Sequence, residues 1–304
     1  MPKTYFPFHG LPDELILHIF RLAAASSWDT CLALMLVASW TRHLAVPHLL
    51  KTVVIRSEAA AIAFVNFLDQ DPRRAPLVKA VSFAFAGDDR GRLSYDIVQR
   101  CPNLTNIAMI PEAIYGFVRW RATDASAVVL PSHELHLTVP APQIAADGDS
   151  VLIDSLVSAV VEARYSRLPM PILERITHLD TTVCPSWFRR EKPFGAFTHL
   201  THVRVDLHSG PRGDIDKAVT AMLRKHGKIK MLVLSVEDVH YREDVVFAEW
   251  FWGTRDQTNE RLYATSGWNT LEEWERAARD GNDIWDDAFR ETEDWRCTRA
   301  LRSF

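Results

Sequence analysis

The chain has 304 residues, 47% hydrophobic and 24% charged, with a formal net charge of −4. This is the mixture of a globular protein with enough chain for a sizeable core in one large or two ordinary domains. It excludes a global electrostatic pull toward nucleic acid, and with no run of about 18 apolar residues it excludes a membrane-spanning helix.

"MPKTYFPFHG" at the N-terminus has no apolar core of a secretory signal. The four cysteines, Cys31, Cys101, Cys184 and Cys297, are far apart, with no CxxC pair. They suggest neither a zinc site nor a disulfide framework, and they fit a reducing intracellular compartment, cytoplasmic or nuclear.

The first predicted element is a helix in "LPDELILHIFRLA", Leu11 to Ala23. Pro12 suits the first helical position, and Asp13 and Glu14 favour the positive end of the helix dipole. At helical spacing Leu22, Leu15, Ile19, Ala23, Ile16 and Phe20 fall on one arc of roughly 160°, wider than the usual stripe of about 100°. A second helix is predicted with Asp29 as its N-cap, carrying Leu32, Leu34, Met35, Leu36 and Val37. A third is predicted from Ser39, with Trp40, His43 and Leu44, broken at Pro47. Three short helices in about 40 residues rarely stabilise themselves. The bundle must dock on the rest of the chain, on a partner, or on both.

Beyond Leu50 a loose L-x-x-L-x-L frame recurs. Its copies are Leu50, Val53, Ile55; Val78, Val81, Phe83; Leu104, Ile107, Met109; Ser132, Leu135, Leu137; Ile176, Leu179, Thr181; Leu200, Val203, Val205; and Ile229, Leu232, Leu234. The copies start 28, 26, 28, 44, 24 and 29 residues apart, close to the 20–29-residue period of leucine-rich repeats apart from the gap of 44. That gap holds a loop, Pro140 to Ser150, and an extra helix, Val151 to Arg164. Alternate strand residues share a face, and "SEAAAIAFVNFLDQ", "YDIVQRCPNL" and "DIDKAVTAMLRKHG" have the helical spacing of return segments. The expected fold is an α/β solenoid with a parallel sheet; an ordinary doubly wound α/β domain gives similar alternation.

From Glu237 onward the chain holds 17 acidic and 9 basic residues and six of the ten tryptophans: Trp250, Trp252, Trp268, Trp274, Trp285 and Trp295. Thr270 and Glu273 have capping-box spacing. The segment reads as a helical cap over the last repeat, or as a partner surface with aromatic anchors. The expected division is therefore 1–50 helical, 51–236 repeat-like and 237–304 cap.

Signs of catalysis are few. There is no dinucleotide, Walker or nucleophile-elbow motif. His199 and His202, and His133 and His136, lie three apart in strand-like segments, where that spacing means opposite faces. They read as structural or solvent-facing. "HSGPRGD" lacks the glycine density of a phosphate cradle, "RREK" is too small for a nucleic-acid footprint, and "DGNDIWDDAF" lacks the glycine and glutamate of an EF-hand loop. No catalytic, cofactor or metal site is expected.

Three pieces of the N-terminal stretch, in order, carry a resemblance: the Leu11–Pro12 start, the helix "ELILHIF", and the late V-x-x-W of "LALMLVASWTRHLAVPHLL" with a basic residue after it. Over Leu11 to Ile55 the chain resembles an F-box. Its layout is similar to the large F-box families of mushroom-forming fungi, whose C-terminal leucine-rich repeats are often degenerate. The resemblance implies a substrate receptor of an SCF-type cullin–RING ubiquitin ligase, docked on a Skp-family adaptor, with the C-terminal domain selecting an unknown target protein. Leu11, Pro12, Leu15, Ile16, Ile19, Phe20, Leu36, Val37, Trp40 and Leu44 match the adaptor-facing positions. The alternative is a non-catalytic interaction scaffold that builds no ligase.

Overall fold

The computed structural model describes residues 10–85, 91–110, 113–114, 117, 134–140, 171–181, 197–207, 212–236, 241–267 and 270–302. Three helices come first: α1 (Asp13–Ser26), α2 (Trp28–Val37) and α3 (Ser39–Lys51). Pro12 stands one place before α1 and not inside it, and its carbonyl accepts from the Leu15 and Ile16 amides at 3.0 and 3.1 Å. The N-cap of α2 is Ser27 and not Asp29, because the Ser27 hydroxyl accepts from the Thr30 amide at 3.1 Å. Pro47 does not end α3. It is exposed, and the following turn is held by burial of Leu50, which offsets the hydrogen bond a proline removes.

α3 runs without a linker into an all-parallel sheet of eight strands in sequential order. They are β1 (Thr52–Ile55), β2 (Ala80–Phe83), β3 (Asn106–Met109), β4 (Leu135–Val139), β5 (Ile176–Thr181), β6 (His202–Leu207), β7 (Met231–Val236) and β8 (Leu262–Ser266). All seven predicted frames are strands. The eighth lies beyond 236, inside the segment read as a cap.

One apolar row crosses the whole sheet in register: Val53, Val81, Ile107, Leu137, Leu179, Val203, Leu232 and Leu262. Successive members are 28, 26, 30, 42, 24, 29 and 30 residues apart. The fourth copy is therefore shifted from the expected frame by two residues: Leu137, and not Leu135, pairs with Ile107. A two-residue slip keeps every side chain on its face, so alternation alone does not reveal it.

The return segments include α4 (Glu58–Gln70), α5 (Arg92–Arg100), α6 (Pro171–Arg175), α7 (Arg212–Lys225) and α8 (Val245–Gln257). Ala61, Leu68, Ile97, Val98, Met222, Leu223 and Phe251 from these helices join the apolar row in one core. The predicted loop Pro140–Ser150, apart from Pro140, and helix Val151–Arg164 lie outside the described residues, as do Cys184, Ser132, His133, Trp268 and "RREK".

The chain ends in α9 (Leu271–Asp280) and α10 (Ile284–Arg302). α9 opens on the predicted capping box: the Glu273 amide donates to the Thr270 hydroxyl and the Thr270 amide to the Glu273 carboxylate, both at 3.1 Å. α9 and the first part of α10 pack on the face of the sheet opposite the apolar row. Trp285 and Ala288 are buried there against Met231 and Val233. The later part of α10 passes the β8 edge, and Trp295 packs among Tyr241, Phe247, Phe251 and Trp252. Trp252, Trp285 and Trp295 are thus packing residues.

The β8 edge is closed by side chains. The Thr292 hydroxyl accepts from the Ala264 amide at 2.9 Å and donates to the Ala264 carbonyl at 3.1 Å, and the Glu291 carboxylate accepts from the Ser266 amide at 2.9 Å. Thr292 and Ala264 are fully buried. Thr292→Val keeps the shape and strips both bonds, leaving a buried N–H and C=O unsatisfied. Urea unfolding is expected to register a loss of about 2–3 kcal/mol.

Candidate functional site

The bundle has a thin core. Its buried members are Ala24, Cys31, Leu34 and Ala45, with Phe20, Ala23, Met35 and Leu49 packed against them. Polar contacts join α2 to α3: the Cys31 thiol donates to the Ala45 carbonyl at 3.3 Å, the Thr41 hydroxyl donates to the Leu34 carbonyl at 2.7 Å, and the Arg42 guanidinium donates to the Met35 carbonyl at 3.4 Å. Alanine and cysteine bury little area, so this core contributes little, and many of the bundle's large apolar side chains stay exposed.

Those side chains face outward. Among the described residues, twelve large apolar side chains are exposed, and eight of them lie between residues 15 and 40: Leu15, Leu17, Ile19, Leu22, Leu32, Leu36, Val37 and Trp40. Leu36 is 87% exposed, Val37 64% and Leu15 49%. The wide arc of α1 is divided. Phe20, Ile16 and Ala23 turn toward the bundle and are half-buried; Leu15, Ile19 and Leu22 form the solvent strip. Of the ten predicted contact residues, Pro12, Leu15, Ile19, Leu36, Val37 and Trp40 are exposed, and Leu11, Ile16, Phe20 and Leu44 are half-buried. Phe20 meets Trp40 edge-on at 5.0 Å, which brings the first half of α1 beside the α2–α3 corner. None of the ten is fully buried.

The bundle and β1 each meet α9 at a separate place. The Arg279 guanidinium of α9 lies 4.1 Å over the Trp28 ring, and the Thr52 hydroxyl donates to the Ala278 carbonyl at 3.1 Å. The exposed apolar residues take no part in those contacts.

A second feature lies on the sheet face under α9 and α10. His136, His178 and His202 come from β4, β5 and β6 and pair in register. Their rings stack at centroid distances of 3.8 and 4.1 Å, and Trp285 of α10 covers His178 and His202 at 5.2 and 5.5 Å. The Thr177 and Thr201 hydroxyls lie 2.8 Å from the Nδ1 atoms of His178 and His202. Burial, then the neighbouring imidazoles, push His178 down to about 2. Burial also lowers His136 and His202, against partial opposition from Asp283 and Glu134. The stack is neutral at neutral pH.

One row further along, the Arg204 guanidinium pairs with Asp180 at 3.2 Å and donates to the Ser235 hydroxyl at 2.9 Å and the Gly267 carbonyl at 3.4 Å. Among the described residues no group of three histidines, cysteines or acids is placed to hold a metal.

Spacing within one segment pairs His199 with His202 and His133 with His136. The fold pairs His136 and His202 with His178 instead, which three-apart spacing does not flag. The signal for it is the repeated Thr-His dipeptide, Thr177-His178 and Thr201-His202, at the same place in two consecutive frames.

Compared with known proteins, the chain matches no family model, no curated protein and no solved structure.

His178 takes up its proton in the unfolded chain near pH 6.5 and in the folded state only near 2. Below 6.5 the unfolded chain binds more protons, so this contribution to stability is complete above 6.5 and is lost progressively as the pH falls. His178→Phe keeps a ring in the stack without the proton site. Between pH 7 and pH 5 the variant is expected to lose about 1–2 kcal/mol less stability than the wild type in chemical unfolding.

Proposed function

We propose that this chain is the substrate-recognition subunit of an SCF-type cullin–RING ubiquitin ligase. The N-terminal bundle docks on a Skp-family adaptor, and the repeat-like sheet presents a target protein. One observation carries the proposal: among the described residues, two thirds of the exposed large apolar side chains fall on a bundle of three short helices that has only a thin core of its own. A large apolar cluster in water is a standing free-energy cost that a partner removes. Burying each such side chain contributes about 1.5–3 kcal/mol, and four or five of them offset much of an association cost of roughly 4–15 kcal/mol. The resemblance of "LPDELILHIF" and "LMLVASW" to an F-box supplies the kind of partner.

The mechanism in this reading is proximity. The chain contributes no reacting group; it holds a target beside a ubiquitin-charged enzyme. The order of elements supports it. α3 passes directly into β1, so a partner gripping the bundle is fixed relative to the sheet by continuous backbone and by the Trp28–Arg279 contact.

Leu36→Asp combined with Ile19→Asp tests the reading. Both sites are exposed, so folded-state stability is expected to stay within about 1 kcal/mol of wild type. Co-purification with a Skp-family adaptor is expected to disappear. Adaptor binding unchanged in the double variant overturns the proposal. An adaptor complex that never recruits a cullin reduces the chain to an interaction scaffold.

A further inference from the structure

We propose that the cleft between the sheet and the α9–α10 roof binds a small phosphate- or carboxylate-bearing molecule, with its charged end held by Lys51, Lys79 and Arg276. The cleft has a volume of about 570 Å³, within the range of roughly 300–1,000 Å³ usual for small-molecule sites. Small side chains facing one another create it. Ala80 and Asn106 lie in the floor and Ala277, Ala278 and Gly281 in the roof. The His136 and His178 rings continue the floor beyond Asn106.

The charges around the cleft are asymmetrically satisfied. Five carboxylates line it, and each is engaged. Asp180 pairs with Arg204, Glu291 with Arg242 and Asp287 with Arg290. Glu273 accepts from the Thr270 amide at 3.1 Å and Asp283 from the Trp285 amide at 3.0 Å, both at helix N-termini where negative charge is favoured. The cations differ. Among the described residues, Lys51, Lys79 and Arg276 form no ion pair. Lys51 and Lys79 immediately precede paired strands, joined by the Lys79 amide donating to the Lys51 carbonyl at 3.0 Å. Like charges on adjacent strands repel. A third cation, Arg276 of α9, lines the same cleft from the roof. An anion between the three removes the repulsion, and the neutral imidazoles of His136 and His178 offer N–H donors to the rest of the molecule without adding charge.

This site stands apart from the adaptor-facing surface and does not rest on the ligase reading. Its test uses the full chain alone, in differential scanning fluorimetry with sodium pyrophosphate against sodium chloride at matched ionic strength. A saturable rise in melting temperature with pyrophosphate only is expected. The Lys51→Ala/Lys79→Ala variant is expected to weaken the apparent affinity at least tenfold, and Arg276→Gln, which alters the roof alone, by a smaller factor in the same direction. Lys51 and Lys79 are exposed, and their removal is expected to leave the unliganded melting temperature within about 2 °C of wild type. No saturable rise, or an equal rise in both variants, overturns the proposal. A phosphoserine peptide that binds more tightly than pyrophosphate overturns the small-molecule form and assigns the anion to a target side chain.

Discussion

The row from Val53 to Leu262 is a line of apolar side chains packed one against the next across eight strands, buried from Val81 onward and half-buried at Val53. Each contributes about 1.5–3 kcal/mol by leaving water, and each does so only if its strand has the same parity as its neighbours. A slip of one residue at any strand turns that strand's apolar set toward α9 and α10 and its polar set into the core. The remaining features follow from that shared parity. It places His136, His178 and His202 in one rank and Asp180 beside Arg204 in the next. It also leaves the opposite face free for a roof that is not part of the repeat.

The two ends of the array are finished differently. At β8 the finishing is internal: α10 supplies hydroxyl and carboxylate partners to the strand edge and buries Trp285 and Trp295 on either side of it. At β1 the chain enters from a bundle whose own core is four small or medium side chains. The bundle is steadied by α9 through Trp28 and by the unbroken passage of α3 into β1, and its greasy outer surface remains over.

The strands were legible because the L-x-x-L-x-L frame is a direct image of one buried face. β8 was missed because only Leu262 and Ala264 of that frame are apolar there, within an acidic, tryptophan-rich stretch. The two-residue error at β4 has an equally physical source: Leu135, Leu137 and Val139 are all buried, and only the neighbouring strand decides which pairs with Ile107. Helix boundaries moved where a local competitor won, as at Ser27 over Asp29. The exposed apolar strip of the bundle was readable from α1, whose arc is too wide for the core it meets. The cleft was not readable, since its walls come from residues tens to more than two hundred positions apart that only register and the α9–α10 roof bring together.

The hydroxyl of Thr292 has a wider consequence. A parallel sheet built by repetition has no intrinsic stopping point, because its last strand offers the next one the same ladder its predecessor offered. Where one threonine occupies both backbone groups of Ala264 and a glutamate holds the amide of Ser266, that invitation is withdrawn. A stray extended segment, from another copy or from a damaged neighbour, meets side chains at those positions, and recruitment into fibrous growth is blocked at this margin.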